Sequence, residues 1–299
     1  MTDTRCGFVA LIGAPNAGKS TLINALVGAK VSIVSRKVQT TRTQVRGIAM
    51  SGATQIIFVD TPGIFTPKRR LDRAMVTSAW GGAGDADLVG LLVDVHKLDD
   101  EDTRAVLARA KELRQPVFLI INKIDSVPRE RLLAATQQLN EGQSFLTTFM
   151  ISALTGDGVP AILKWLEERL PPGPWLYPED QMSDAPLRFL AAEITREKIY
   201  ERLHDELPYR STVETESWKA LRDGSVRIDQ TIFVEREGHR KIVLGEKGRT
   251  IKAIGEAARK DIAEAAEAKV HLFLFVKVRE NWLDDPERYR EMGLDFPKG

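Results

Sequence analysis

A single cysteine, Cys6, stands in the 299 residues of this chain. It excludes an internal disulfide and fits a reducing cytosol, in which a lone cysteine is expected as a small buried residue. Long apolar runs are also missing. The longest, such as residues 88–93, fall far short of a membrane span, and Met1-Thr2-Asp3-Thr4 lacks the basic-then-apolar layout of a secretion signal. Any membrane contact is therefore expected to be peripheral. An excess of charge of one sign is absent too: 43 Lys and Arg face 42 Asp and Glu, for a formal net charge of +1. Whole-chain charge thus says nothing about polyanion binding, and its distribution along the chain has to be read instead. The length exceeds one typical domain and suits two.

What is present begins with Gly13-Ala14-Pro15-Asn16-Ala17-Gly18-Lys19-Ser20, which reads G-x-x-x-x-G-K-S directly after the apolar residues 8–12. The order is strand, glycine loop, helix. Glycines let backbone N–H groups turn inward around a phosphate, and the helix opening near Lys19 aims its positive end at the same place. Gly13, Asn16, Ala17, Gly18, Lys19, Ser20 and Thr21 are the expected cradle. Lys19 supplies charge at the β- and γ-phosphates, and the Ser20 hydroxyl is placed for Mg²⁺.

Residues 30–43 are polar and basic with little to bury, and read as a mobile loop. They are either a solvated connection or a switch in which Thr41 offers a hydroxyl to Mg²⁺ when a γ-phosphate is present. The apolar residues 56–59 end in Asp60-Thr61-Pro62-Gly63, a D-x-x-G at a strand terminus. Asp60 suits a direct or outer partner of Mg²⁺, and the Gly63 amide a γ-phosphate contact. Residues 88–93 and 117–121 read as strands buried on both faces, separated by a helical stretch over 101–113.

The second of those strands ends in Asn122-Lys123-Ile124-Asp125, or N-K-x-D. A carboxylate at Asp125 accepts from both the N1–H and the exocyclic amine of guanine, a donor pair that adenine lacks. Asn122 is expected to brace the loop against the first glycine loop, and the stem of Lys123 to lie over the base. After a strand over 146–151, one of the Ser152-Ala153-Leu154 amides is expected to meet the guanine O6. These motifs all fall beyond the carboxyl ends of strands, where open α/β sheets bind ligands. The layout resembles the translation-factor-like branch of P-loop GTPases over residues 7–170. It departs at Ile64, where many such proteins carry glutamine to orient water. GTPases similar in this respect often use an asparagine at the place of Asn16 to help hold a monovalent cation; the alternative is an asparagine that merely caps the turn.

Leu170-Pro171-Pro172-Gly173-Pro174 and the proline- and acid-rich stretch after it mark a boundary. A helix is expected over 187–207. Val226, Ile228, Ile232 and Val234 then alternate with Arg227, Asp229, Thr231 and Glu235, and Val270, Leu272, Leu274, Val276 and Val278 repeat the pattern, as strands with one face on a core. Between them a short apolar helix runs into Gly245-Glu246-Lys247-Gly248, and a second leaves it with Ile251, Ile254, Ala258 and Ile262 on one face. This helix, G-x-x-G, helix arrangement is the clamp of a KH domain. Its surroundings carry Arg240, Lys241, Lys247, Arg249, Lys252, Arg259 and Lys260 against Glu246 and Glu256, a glycine-punctuated basic cluster that favours single-stranded RNA. Lys241, Gly245, Glu246, Lys247, Gly248, Arg249 and Lys252 are the expected contacts.

A P-loop GTPase followed by one KH module resembles the Era family of bacterial GTPases over nearly the whole chain. Ser35-Arg36-Lys37, Gln39-Thr40-Thr41-Arg42, Arg196-Glu197-Lys198 and Glu206-Leu207-Pro208-Tyr209 also look like that family's motifs. The resemblance implies an α/β GTPase domain over 1–172, with a mostly parallel sheet and helices on both faces. A linker over 173–185, an α+β KH domain of type II over 186–282 and a tail over 283–299 complete the expected layout. It further implies GTP hydrolysis with Mg²⁺, and with K⁺ if Asn16 holds it. Lys19, Thr41 and Gly63 would act in the reaction, and Ser20, Thr41 and Asp60 would hold the metal. The implied partners are the 3′ end of small-subunit ribosomal RNA, the small ribosomal subunit during assembly, and the inner membrane as a peripheral surface, for a cytoplasmic monomer. The rival reading is a nucleotide-gated RNA-binding protein whose hydrolysis is incidental. An ATP-using RNA remodelling enzyme conflicts with N-K-x-D.

Overall fold

The computed structural model describes residues 4–141, 144–282 and 285–297. Met1 to Asp3, part of the reading against a secretion signal, and parts of the expected tail at 283–284 and 298–299 lie outside the described residues. The chain divides into two compact units: Met1–Ser32, Thr41–Asp184 and Tyr289–Gly299 form the first, Ile33–Thr40 and Ala185–Arg288 the second.

The first unit runs β1 (Arg5–Ile12), α1 (Lys19–Val27), β2 (Val45–Ser51), β3 (Thr54–Asp60), α2 (Arg70–Gly84), β4 (Leu88–Asp94), α3 (Glu101–Ala110), β5 (Val117–Asn122), α4 (Arg129–Asn140), β6 (Thr148–Ile151) and α5 (Val159–Glu167). The sheet order is β2-β3-β1-β4-β5-β6, parallel throughout except for the β2–β3 pair. Its central strands are apolar without alternation because both faces are covered. Val9 and Leu11 of β1 join one core with Leu22, Phe58 and Ile162, whereas Ala10 and Ile12 join the other with Ala79, Leu91 and Val106. The loops after β1, β3, β5 and β6 consequently emerge at one edge of the sheet. Residues 173–184 lie along β2, where Ile48 N–H donates to Met182 O at 2.8 Å and Gly47 bridges Ser183.

The second unit follows the α-β-β-α-α-β order: α6 (Leu187–Arg202), β7 (Ser211–Ala220), β8 (Val226–Val234), α7 (Glu237–Leu244), α8 (Arg249–Ala265) and β9 (Val270–Val278). β8 is central, antiparallel to β7 and parallel to β9. One face of the sheet meets α6 and α8 through Ile199, Ile232, Val234 and Ile254, and through Ile194, Ile228, Ala258 and Ile262. A short helix α9 (Pro286–Glu291) follows β9.

Three expectations are corrected here. Thr231, read as solvent-facing, is fully buried, because the β7 bulge at Glu216 leans over it and accepts its hydroxyl at 2.6 Å. Val278, read as core-facing, is 37% exposed at the last position of an edge strand. Residues 30–43 do form neither helix nor strand, but they are not short of burial: Val31, Ser32, Ile33, Thr41, Arg42 and Thr43 are all buried. Part of the reason lies in the second unit, where Ile33–Thr40 pack on α6. Val34 N–H donates to Glu197 Oε1 at 2.8 Å, Lys37 Nζ to Leu203 O at 2.5 Å, Tyr200 Oη to Gln39 O at 3.3 Å, and Arg196 to Thr40 O. Polar side chains and polar backbone satisfy one another across sequence distances that composition does not reveal.

Candidate nucleotide and nucleic-acid sites

The glycine loop after β1 is shaped by two close approaches. A Cβ on Gly13 would stand 2.4 Å from Leu92 O, and one on Gly18 would stand 2.3 Å from Asn122 Nδ2, with Gly18 at φ +102°. Only glycine lets the backbone through. α1 then opens at Lys19 with no side-chain cap, so its first-turn N–H groups are left for an anion. Lys19 is buried and its Nζ donates to Gly13 O at 3.0 Å and Ala14 O at 3.1 Å. Burial lowers its pKa to about 8, with nearby Asp60 opposing that shift.

At the end of β3, Asp60 is fully buried. Its Oδ2 accepts from Ser32 Oγ at 2.6 Å, Ser20 Oγ at 2.8 Å and Thr41 Oγ1 at 3.3 Å, and Ser20 and Thr41 hydroxyls lie 3.0 Å apart. Its Oδ1 is buried and has no hydrogen-bond partner among the described residues. Burial pushes the Asp60 carboxyl upward, while the three hydroxyls and Lys19 pull it back. A set of hard oxygen donors around one uncompensated carboxylate oxygen fits Mg²⁺, whose charge or bound water would satisfy Oδ1. Ser32 belongs to this cluster and escapes sequence reading, which singles out Thr41; a hydroxyl at each end of the polar loop is the signal that was there to find.

A Cβ on Gly63 would stand 3.1 Å from Pro15 Cα of the glycine loop, and Ile64 N–H donates to Gly13 O at 3.1 Å. The Ile64 side chain is buried in the second core, turned away from any role in handling water.

Asn122 ties the remaining loops together. It is 2% exposed, donates from Nδ2 to Ala17 O at 2.8 Å, and accepts at Oδ1 from Ala153 N–H at 2.9 Å. Lys123 takes φ +69°, and its Nζ reaches Asn16 O at 2.9 Å and Asp94 Oδ2 at 2.6 Å, stretching its stem along the glycine loop. Asp94, buried at the end of β4, is a second member that sequence reading missed, although it ends an apolar strand as Asp60 does. Asp125 is exposed on the turn Ile124–Ser126. Of the three expected amides, Ser152 N–H is spent on Asp157 O and Ala153 N–H on Asn122, leaving that of Leu154.

In the second unit, α7 ends at Gly245 (φ +71°), where a Cβ would stand 2.2 Å from Thr250 Oγ1. Lys247 takes φ +52° and Gly248 φ +77° before α8 opens, again without a side-chain cap. Lys241, Glu246, Lys247, Arg249 and Lys252 are exposed around this loop, as is the apolar Ile242. Arg249 and Lys252 occupy the first turn of α8, where cations oppose the helix dipole; Glu246, in the loop before it, pairs with Arg249. Such a placement makes sense for a docked polyanion.

Comparisons with known proteins agree with this division. A family model described as a 50S ribosome-binding GTPase matches residues 8–123, and a KH domain model matches residues 206–283. The GTPase Era of Afipia carboxidovorans is 68% identical over 99% of this chain and 96% of its own length. That of Mesorhizobium japonicum is 67% identical over 98% and 95%. Among solved structures, an Aquifex aeolicus Era variant bound to GDP and aluminium fluoride superposes with a TM-score of 0.91 at 36% identity, covering 97% of this chain and 99% of that one. A structure of Era in complex with MgGDPNP and nucleotides 1506–1542 of 16S ribosomal RNA matches with the same TM-score, identity and coverage. With relatives this similar over its full length, the chain belongs to the Era family of GTPases.

Proposed function

We propose that this protein binds and hydrolyses GTP with Mg²⁺, and that its KH unit binds the 3′ end of small-subunit ribosomal RNA during assembly of that subunit. The observation that carries the reading is convergence: Lys19, the Ser20–Thr41–Asp60 cluster and the Asn122-braced loop bearing Asp125 share one edge of a parallel sheet. Uncapped α1 amides and Lys19 hold the phosphates, and Asp125 reads guanine. Ser20 and Thr41, with Asp60 behind them, would hold Mg²⁺, which supplies positive charge at the β- and γ-phosphates when bound. The Gly63 amide senses the γ-phosphate, and water attacks in line. Related Era proteins, solved with a GDP–aluminium fluoride complex and with MgGDPNP and 16S RNA, support the same assignment. We extend the proposal to a cytoplasmic monomer that meets the inner membrane only at its surface; no described helix is long and apolar enough to cross one. Phosphate release from GTP, with Mg²⁺ and with chelator, tests the reaction. Failure to release phosphate in Mg²⁺ would remove it.

A second reading, RNA binding gated by nucleotide with incidental hydrolysis, is favoured by one observation. Ile33–Thr40 belong to the RNA-binding unit, while Ser32 and Thr41 at its two ends bond to Asp60. Turnover unchanged by RNA, together with nucleotide-dependent RNA affinity, would select it.

The lowered pKa of Lys19 gives a pH dependence. Its folded value of about 8 lies below the ordinary 10.5, so between those values the unfolded chain binds more protons and stability rises with pH. A docked phosphate favours the charged amine, so above pH 8 binding must take up a proton. GTP affinity should therefore fall by up to about tenfold per pH unit from pH 8 towards pH 10. Calorimetry at pH 9 in buffers of different ionisation enthalpy should register an uptake approaching one proton; none would contradict the assignment.

Because Ile64 is buried and cannot orient water, we propose that K⁺ near Asn16 adds charge to the transition state. Exchanging K⁺ for Na⁺ at fixed ionic strength should slow hydrolysis several-fold, and Asn16→Ala should abolish the difference. Equal rates in both salts would leave Asn16 as a turn residue.

For the RNA site the informative substitution is Lys247→Asp. Aspartate tolerates the left-handed backbone at this position better than most residues, so stability should change by no more than about 0.5 kcal/mol. A cation becomes an anion where an RNA phosphate must pack. Affinity for RNA ending in the small-subunit 3′ sequence should drop about tenfold or more, with GTP affinity of the same preparation preserved. Unaltered RNA affinity would take this loop out of the site.

A further inference from the structure

Beyond the G-x-x-G loop, we propose that the open face of the β7-β8-β9 sheet, turned away from α6 and α8, is a second RNA-binding surface on which unpaired bases stack against Phe273 and Phe275. The face is built by register. Lys219, Arg227 and His271 pair across the three strands in one row; Ser217, Asp229 and Phe273 form the next; Glu214, Thr231 and Phe275 the one after. Phe273 and Phe275 are 44% and 51% exposed, whereas Phe233 on the same face is buried, covered by the guanidinium groups of Arg279 and Arg288 at 4.9 and 5.4 Å from its ring centre. Phe273 and Phe275 thus keep the exposed aromatic surface that Phe233 has lost.

Along β9 the outward residues read His271, Phe273, Phe275, Lys277: basic, aromatic, aromatic, basic. Alternate residues of a strand stand about 6.6 Å apart, a spacing that unstacked nucleotides match. The charge around the rings complements a polyanion. Arg227 neutralises Asp229 at 3.3 Å, Lys277 neutralises Glu216 at 3.0 Å and Arg288 neutralises Glu214, which leaves Lys219 in excess, with His271 beside the same rings. Arg227 already lies over Phe273 at 4.6 Å from the ring centre, so one ring face accepts a flat cationic partner, and base stacking on aromatic and guanidinium planes is how single-stranded RNA is held on sheets. A membrane is the weaker occupant, since peripheral insertion uses the apolar face of an amphipathic helix, and these rings lie on a flat, polar-flanked sheet.

The test uses the full chain with a mixed-sequence single-stranded RNA carrying 4-thiouridine. Phe273→Leu with Phe275→Leu keeps the apolar area and removes both π-faces; it should weaken RNA binding about fivefold or more for each ring, in the wild-type chain and in the Lys247→Asp background alike. Phe273→Tyr with Phe275→Tyr should retain affinity, and photocrosslinks should map to β9. GTP turnover without RNA should not change in either pair. If the leucine pair binds RNA as tightly as wild type and no crosslink falls on β9, the surface is not an RNA site. Failure of the G-x-x-G assignment is distinguishable, because it alone predicts the effect of Lys247→Asp. The same proteins are sedimented with phosphatidylglycerol–phosphatidylethanolamine vesicles. Vesicle binding lost in Phe273→Asp with Phe275→Asp, at unchanged RNA affinity, would give the face to the membrane and overturn the proposal.

Discussion

Asp125→Asn is expected to exchange GTP for xanthosine triphosphate as the preferred nucleotide. Guanine presents N1–H and an exocyclic amine, and the proposed reader is a carboxylate that accepts from both. Asparagine keeps one acceptor and turns the other into a donor, which matches xanthine, where a carbonyl replaces the amine. The loss of one charge-assisted hydrogen bond at about 1.5–3 kcal/mol, with a donor now facing the guanine amine, puts the loss of GTP affinity on the order of ten- to a hundredfold or more. The fold should not register the change, because Asp125 is exposed on a short turn. Competition between GTP and the xanthine nucleotide for the purified variant gives the answer. A variant that still prefers GTP would leave base choice to the backbone amide at Leu154 and remove Asp125 from the site.

Much of this molecule is legible in its sequence for a physical reason. Strands β1, β3, β4 and β5 are buried on both faces, so each appears as an unbroken apolar run, and the residues that follow them carry the chemistry. The G-x-x-G loop is legible because Gly245 stands against Thr250 and Gly248 at φ +77°, conditions that few other residues meet. What could not be read depends on partners far along the chain. β2 interrupts its apolar pattern with Arg46 and Gly47, and Gly47 is small because Ile23 and Val27 of α1 pack over it. β7 is mostly polar and carries a bulge, so its period is broken. Ser32 and Asp94 join the site only through contacts with Asp60 and Lys123, and Ile33–Thr40 find their hydrogen bonds on α6, more than a hundred and fifty residues later. The alternation along β9 already sets Phe273 and Phe275 opposite its core-facing residues, and the sheet shows how much of each ring that face leaves exposed.

Asn122→Ala should damage two loops at once. The side chain is buried, its Nδ2 serves the carbonyl of Ala17 in the glycine loop, and its Oδ1 serves the amide of Ala153 beside the proposed guanine contact. Truncation strands both backbone groups away from water at about 1–3 kcal/mol each, so the first unit should lose roughly 2–5 kcal/mol of local stability. Amide exchange in residues 13–20 and 152–154 should accelerate together, and GDP and GTP affinities should fall by similar factors, since the tie precedes any γ-phosphate contact. Asn122→Asp should do no better: it keeps the acceptor for Ala153 but sets a buried carboxylate against the Ala17 carbonyl. The decisive comparison adds Gly18→Ala, whose Cβ would lie 2.3 Å from Asn122 Nδ2 at φ +102°. Alone, that substitution pays for both the collision and the backbone strain. In the Asn122→Ala background the collision is gone and only the strain remains, so the two losses in nucleotide affinity should fall short of additive by about 0.5–3 kcal/mol. Strict additivity would mean that Gly18 and Asn122 act independently, and that the loop carrying Asp125 is held in place by something other than this amide.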